Sequence, residues 1–297
     1  MPMPPPGVYV PLLTLYDDEE GIDIAATAAF ARLLVATGIH GLVLAGSTGE
    51  FHLHTLGERR ALLEAVIAAC PQTPVLTQVG APAQRDAVAL AGHAAASGAA
   101  AVMLITPYYN RVGPAELAAL ARAVHGAAGD VPLIAYTMPA MAGSQWPLEV
   151  LRELAADGVV SGVKESGEEV GRFLQILDRC PPGFAAYCGT PTLLSLVTLA
   201  GGAGGILAIA NVAPERCLAV YEAAAAGEGK RAAQLFAPLV PLLGAIRAAG
   251  PSPTGMRAAA AIRYGVGTAT RRPLAPVADD AGIRATLPTA VRGGISR

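Results

Sequence analysis

Eight short apolar runs, each followed by a longer Ala/Leu-rich segment, constrain this chain more than any other feature. The runs fall at 9–14, 41–45, 74–78, 101–106, 132–136, 159–164, 184–188 and 204–208. They are continuously hydrophobic rather than alternating, the pattern of strands covered on both faces. The stretches 22–37, 56–69, 84–96, 115–125, 148–156, 170–179 and 191–199 carry helical patterning instead. Gly38, Ser97-Gly98 and Gly158 stand where a helix must stop before the next strand. Eight strand–helix units recurring about every 30 residues predict an α/β chain closed into a (β/α)8 TIM barrel, rather than an open doubly wound sheet. The units finish near Gly227. Residues 1–227 are therefore expected to form the barrel and 228–297 a helical C-terminal extension packed on it, with helices over 230–249 and 254–264.

Composition narrows the class of function. With 53% hydrophobic residues in 297, the chain can bury a large core and is not a disordered segment. A net charge of -2 leaves no basic excess to neutralise phosphates, which argues against a nucleic-acid partner and against polybasic attachment to a membrane. Two long uncharged stretches, 87–110 and 180–214, are broken by Ser97-Gly98 and by Pro181-Pro182-Gly183, Pro191 and Gly201–Gly205. Neither offers the roughly 20 continuous apolar residues of a spanning helix. The start, MPMPPPGVYV, has no basic region and no long apolar run, so no signal peptide is expected. Cys70, Cys180, Cys188 and Cys217 are widely spaced with no CxxC pair, as free thiols of a cytoplasmic protein would be.

In a barrel of this kind the chemistry sits at the C-terminal ends of the strands. Only two of the 21 basic residues are lysine. Lys230 lies in a solvated Gly-Glu-Gly-Lys-Arg stretch, whereas Lys164 closes an apolar run and should point into the barrel mouth. A free amine there can act as a Schiff-base nucleophile, a role no arginine can take. The bland alternative is a buried ion pair between Lys164 and Glu165. Tyr136 ends the fifth run, Tyr109 follows the fourth, and Ser47 and Thr48 follow the second. Hydroxyls at three strand ends around one amine suggest a proton relay. In the loop Gly46-Ser47-Thr48-Gly49-Glu50, glycines and hydroxyls could gather N–H and O–H donors around a small carboxylate such as that of pyruvate.

This constellation resembles the dihydrodipicolinate synthase / N-acetylneuraminate lyase family of Schiff-base barrels. The matching stretches are GSTGE at 46–50, TPYYN at 106–110, Tyr136 in YTMPAMAG, GVKES at 162–166 and GGAGGILAIANVAP at 201–214. The resemblance implies a lyase or aldolase, or a dehydratase, in which Lys164 forms an imine with pyruvate or a related 2-oxo acid. Ser47 and Thr48 would hold the acid's carboxylate, and Tyr136 would move protons. Ser47 and Tyr109 would complete the relay, with Tyr109 reaching into a neighbouring subunit. Gly46, Gly189 and Ile206 match pocket-lining positions. The family pattern further implies an aldehyde partner, a homotetramer built from two dimers, and no metal or organic cofactor.

Departures bear on the second substrate. The synthases place an arginine after the catalytic tyrosine to receive the carboxylate of aspartate semialdehyde, where this chain has Met141. That argues against a genuine 4-hydroxy-tetrahydrodipicolinate synthase, because a thioether offers no charge-assisted hydrogen bond. Gly189 is followed by Thr190-Pro191-Thr192, without the acidic residues that hold sugar hydroxyls in the sialate enzymes. The expected second-substrate pocket is uncharged and partly apolar, suited to a less polar aldehyde or a small one such as glyoxylate. Strand one continues Thr14-Leu15-Tyr16, where the family shows a proline after the threonine. A phosphosugar isomerase would need glycines and basic residues after the eighth run, which Asn211-Val212-Ala213-Pro214 does not provide. A non-catalytic 2-oxo acid-binding barrel is the remaining alternative. His52 and His54 lack a third ligand at suitable spacing and read as a rim pair, and His93 as a satisfied helix histidine. Gly201–Gly205 reads as a helix-to-strand turn. Arg59-Arg60 and Arg271-Arg272 read as solvated or interfacial pairs.

Overall fold

Eight parallel strands close on themselves in sequence order in the computed structural model, which describes residues 2–291. They are β1 (Gly7–Pro11), β2 (Gly41–Leu44), β3 (Val75–Gln78), β4 (Ala101–Ile105), β5 (Leu133–Thr137), β6 (Gly162–Glu165), β7 (Ala185–Cys188) and β8 (Gly204–Ile206). Closure is made by β1 pairing with β8, with Gly7 opposite Gly204. Side chains alternate along each strand. Tyr9, Val43, Met103, Ile134, Tyr136 and Tyr187 fill the barrel interior, while Val8, Leu42, Val102, Leu133, Val163 and Ala186 face the helices. Both sets are buried, which is why the strands read as unbroken apolar runs.

The barrel helices are α1 (Ile24–Val35), α2 (Leu56–Ala69), α3 (Gln84–Ala96), α4 (Pro114–Ala128), a single turn α5 (Pro139–Ala142), α6 (Leu148–Ala156), α7 (Val170–Arg179), α8 (Leu194–Leu199) and α9 (Pro214–Ala225). Local signals set several starts. Asp23 caps α1 by accepting from the Ala26 N–H, and Thr55 with Glu58 forms a full capping box on α2. Four helices beyond α9 follow: α10 (Gly229–Phe236), α11 (Leu239–Ala249), α12 (Ser252–Tyr264) and α13 (Ala281–Val291). Leu239, Leu242, Ile246, Met256, Ile283 and Leu287 from these helices share one apolar cluster with the outer faces of the strands.

Several expected boundaries shift for identifiable reasons. β1 ends at Pro11 rather than at residue 14, because Thr14 turns to donate to the Gly49 carbonyl at 2.9 Å. β6 begins at Gly162, and Val159 and Val160 instead donate their N–H groups to the Leu154 carbonyl in the turn after α6. The helix expected over 191–199 starts as a 3₁₀ turn over Pro191–Leu193. The single helix expected over 230–249 is two helices bent by 41°, since Pro238 at the break has no N–H to continue the ladder. The segments α5 and α13 add helix that the apolar periodicity did not mark. Residues 292–297 of the expected extension lie outside the described residues. Among the described residues no single helix is long and apolar enough to cross a membrane. Cys70, Cys180, Cys188 and Cys217 are all free and buried.

Candidate active site

The strand alternation decides where Lys164 points. Its neighbour Val163 lies in the outer core, so Lys164 faces the barrel interior and Glu165 faces out again. Glu165 accepts from Arg172 Nε on α7 at 2.8 Å and from the Gly167 N–H at 2.9 Å. The Lys164–Glu165 ion pair that the sequence left open is therefore not made. Among the described residues Lys164 has no carboxylate partner, although it is only 5% exposed.

Its neighbour across the sheet is Tyr136, directly in register on β5. Lys164 Nζ lies 4.2 Å from the centroid of the Tyr136 ring. The Tyr136 hydroxyl is 3.1 Å from Ser47 Oγ, which comes from the loop after β2. An amine over the ring of a phenol, and an alcohol on that phenol's hydroxyl, thus gather from three strand ends in one buried group. Thr48, Met141, Gly189 and Ile206 line the same cavity, of about 640 Å³, at the C-terminal mouth of the barrel.

The 46–50 loop is held from behind. Glu50 and Arg257 of α12 form an ion pair with both side chains wholly buried, and Arg257 also donates to the Thr14 carbonyl at 3.1 Å. Left-handed backbone occurs at Ala45 (φ 50) and Glu50 (φ 59), not at the glycines between them. Gly49 is required by close approach instead: a Cβ there would lie 2.8 Å from the Leu12 carbonyl oxygen. Among the described residues the Ser47 and Thr48 backbone N–H groups donate to no acceptor in the chain.

Two expected members stand apart. Tyr109 is 90% exposed and outside this cavity, and Gly46 supports the loop without lining the cavity. The expectation of an uncharged pocket is corrected. Glu168, Glu169 and Arg172 line it from the β6 side, and Arg247 of α11 and Ser252 from the helices after the barrel. Ser166 also lines it and packs against Gly189, whose missing side chain makes the room. No local signal marks Arg247, because only the packing of α11 brings it to the mouth.

The remaining motifs resolve differently. Arg59 is not a solvated residue but buried, donating to the Gly80 carbonyl at 3.1 Å and to the Gln78 carbonyl, with burial pushing it down to about 10. Arg271 is largely covered as well. It bonds Glu58 at 2.6 Å and lies 5.1 Å from the Tyr16 ring centroid, with Arg257 at 5.2 Å from the same centroid. His54 Nε2 is 2.7 Å from the Tyr16 hydroxyl, and burial lowers its pKa to about 4, aided by Arg271. His52 is exposed nearby. His93 meets Glu64 at 2.7 Å.

Comparison with known proteins gives this geometry its context. The model of the Dihydrodipicolinate synthetase family matches residues 4–287. The chain belongs to this family. An uncharacterized DapA-like lyase of Halobacterium salinarum is 35% identical over 275 residues, covering 92% of this chain and 90% of that protein. The 4-hydroxy-tetrahydrodipicolinate synthase of Bartonella quintana is 30% identical over 279 residues, 92% of this chain and 93% of that one. Among solved structures, the family member YagE of E. coli K12, in complex with pyruvate, superposes with a TM-score of 0.89 at 26% identity, over 95% of this chain and 96% of that one. As a member of the dihydrodipicolinate synthetase family, the chain is a lyase of the aldolase type on a TIM barrel.

Proposed function

We propose that the chain is a Schiff-base lyase acting on pyruvate or a related 2-oxo acid through Lys164. The Lys164 amine adds to the keto carbon and the carbonyl oxygen leaves as water. Loss of a C3 proton gives an enamine, whose C3 attacks the carbon of an aldehyde. In the cleavage direction the same bond breaks and the enamine regains its proton. Water then releases the 2-oxo acid and the free lysine. The Tyr136 hydroxyl carries the protons, passing them along Ser47 and out through Tyr109 of a neighbouring copy in a homotetramer of two dimers. The hydroxyls and free N–H groups of Ser47 and Thr48 hold the carboxylate, on a loop bent at Gly46, while Gly189, Ile206 and Met141 shape the space around it. No metal or organic cofactor takes part in this scheme. A dehydratase would start from the same imine and expel water instead of an aldehyde.

The observation that carries the reading is the buried, carboxylate-free Lys164 amine stacked 4.2 Å from Tyr136, whose hydroxyl meets Ser47 at 3.1 Å. Borohydride reduction in the presence of pyruvate, followed by peptide mass spectrometry, tests it. A reduced pyruvyl adduct on Lys164 is expected, and the absence of an adduct from folded protein with both pyruvate and longer 2-oxo acids would overturn the reading. Lys164→Ala should abolish both the adduct and turnover while the fold persists, whereas a purely binding barrel would keep its affinity.

A second reading, a genuine 4-hydroxy-tetrahydrodipicolinate synthase, is favoured by the name of the Bartonella relative. Met141, half exposed on the cavity wall, argues against it. Condensation of pyruvate with aspartate semialdehyde should be very slow. A rate of about 1–1000 per second, ordinary for an enzyme, would restore that activity as the function.

A further inference from the structure

The cavity wall carries two guanidinium groups with different circumstances. Arg172 is committed to the protein, with Nε on Glu165 at 2.8 Å and Nη2 on the Trp146 carbonyl at 2.6 Å. The Arg247 side chain makes no ion pair and no hydrogen bond among the described residues, and it lines the cavity that holds Lys164. It stands on α11 beside Leu243 and Ile246, which line the same wall. An exposed guanidinium that holds no protein group, next to apolar side chains on the cavity wall, is suited to a planar carboxylate. The negative charges of the cavity lie elsewhere: Glu168 and Glu169 are on the loop between β6 and α7 and have no cationic partner among the described residues. Like charge keeps an anion off that wall and leaves the α11 wall as the favourable place for it. A cavity of about 640 Å³ also has room well beyond a three-carbon keto acid.

We propose that Arg247 is a specificity-determining residue that receives a carboxylate at the far end of the second substrate. In the condensing direction the enzyme then takes an aldehyde whose acid group reaches the α11 wall, a placement different from the one an arginine at the position of Met141 would receive. In the cleaving direction it takes a 2-oxo acid with a second, distal carboxylate. The helices that follow the barrel thereby supply an anion receptor that the segment after Tyr136, with Met141, lacks. This inference rests on the imine reading of Lys164, and its test separates the two.

The test is the concentration dependence of borohydride trapping at Lys164, because it reads binding without requiring turnover. Wild type and Arg247→Ala are each titrated with pyruvate. They are then titrated with three 2-oxo diacids (2-oxoglutarate, 2-oxoadipate, 2-oxopimelate) and with the matching monoacids that end in methyl. Arg247 is exposed, so its replacement leaves the fold intact. In wild type at least one diacid should half-saturate at about tenfold lower concentration than its monoacid, the size of one charge-assisted contact. Arg247→Ala should erase that preference and leave pyruvate and the monoacids within about twofold, and Arg247→Lys should restore part of it. A wild type that traps pyruvate but shows no diacid preference, or a preference that survives Arg247→Ala, overturns the assignment of Arg247. A wild type that traps neither pyruvate nor any of the longer 2-oxo acids overturns the Lys164 reading itself, and this inference with it.

Discussion

Gly189→Ala is the substitution that best tests how tightly the reacting lysine is held. Gly189 has no left-handed backbone, so the methyl adds no conformational strain and its effect is steric. The new Cβ would overlap Ser166 Oγ, lie 2.8 Å from Ser166 Cβ and 3.1 Å from Lys164 Cε. Turning the Ser166 side chain moves its oxygen away but leaves the Cβ, so backbone must give as well. That backbone is pinned on both sides, by the Ser166 N–H on the Thr137 carbonyl at 3.0 Å and the Gly189 N–H on the Glu165 carbonyl at 2.7 Å. Overpacking of this kind costs about 1–3 kcal/mol of stability. A shift of order 1 Å in the Lys164 amine would slow imine formation by about a hundredfold. Urea unfolding and the rate of borohydride-trapped adduct formation read the two effects separately. The double variant Gly189→Ala/Ser166→Gly removes both contacts with Ser166 and leaves only the one with Lys164. It should recover most of the lost stability while trapping remains slow, with a coupling of about 1–2 kcal/mol in the cycle. If Gly189→Ala traps pyruvate as fast as wild type, or if removing the Ser166 side chain rescues nothing, the steric argument fails.

Three further outcomes are expected. Tyr136→Phe and Ser47→Ala should each lower turnover by about a hundredfold or more, and full activity in Tyr136→Phe would remove it from the relay. Arg257→Ala should destabilise the fold by about 3–5 kcal/mol in urea unfolding, because it strands the buried carboxylate of Glu50; a loss below about 1 kcal/mol would mean that the pair is dispensable. His54, held down at about 4 against an ordinary 6.5, stays neutral in the fold but binds a proton when unfolded. Its contribution is therefore complete above about pH 6.5 and is lost as the pH falls toward 4. Wild type should lose about 2 kcal/mol more than His54→Gln between pH 7 and pH 5, and equal losses would show that the buried imidazole is not the cause.

How far the site was legible depends on which elements build it. The strand runs carry their own signal, since a strand buried on both faces must be apolar throughout, so the barrel and the positions of Tyr136 and Lys164 follow from the chain itself. The rarity of lysine singled out Lys164. Strand periodicity also separates Lys164 from Glu165: once Val163 is taken as outward-facing, its two followers must point opposite ways, and the outward one finds Arg172. The GSTGE loop was recognisable by composition, but its mechanics were not. The left-handed positions are Ala45 and Glu50, and the loop is anchored to Arg257, 207 residues away in sequence.

Charged side chains near the mouth were the least legible, for one physical reason. Arg59 and Arg271 read as solvated or interfacial residues, because arginine is ordinarily solvated, and nothing local marks Arg257. Each instead lies with its guanidinium against an aromatic ring, at 5.3 Å from Phe51 for Arg59 and at 5.1 and 5.2 Å from Tyr16 for the other two. Such partners are set by how helices dock, not by spacing along the chain. Arg247 is the converse case, a guanidinium that docking brings to the cavity without giving it a partner. The buried Arg59, Arg216 and Arg257 each donate to at least one carbonyl of the fold, although some of their nitrogens find no partner. An arginine with no protein partner on the wall of the cavity that holds the reacting lysine is the one available to a substrate, so the place of that substrate's charge should be read from α11 rather than from Met141.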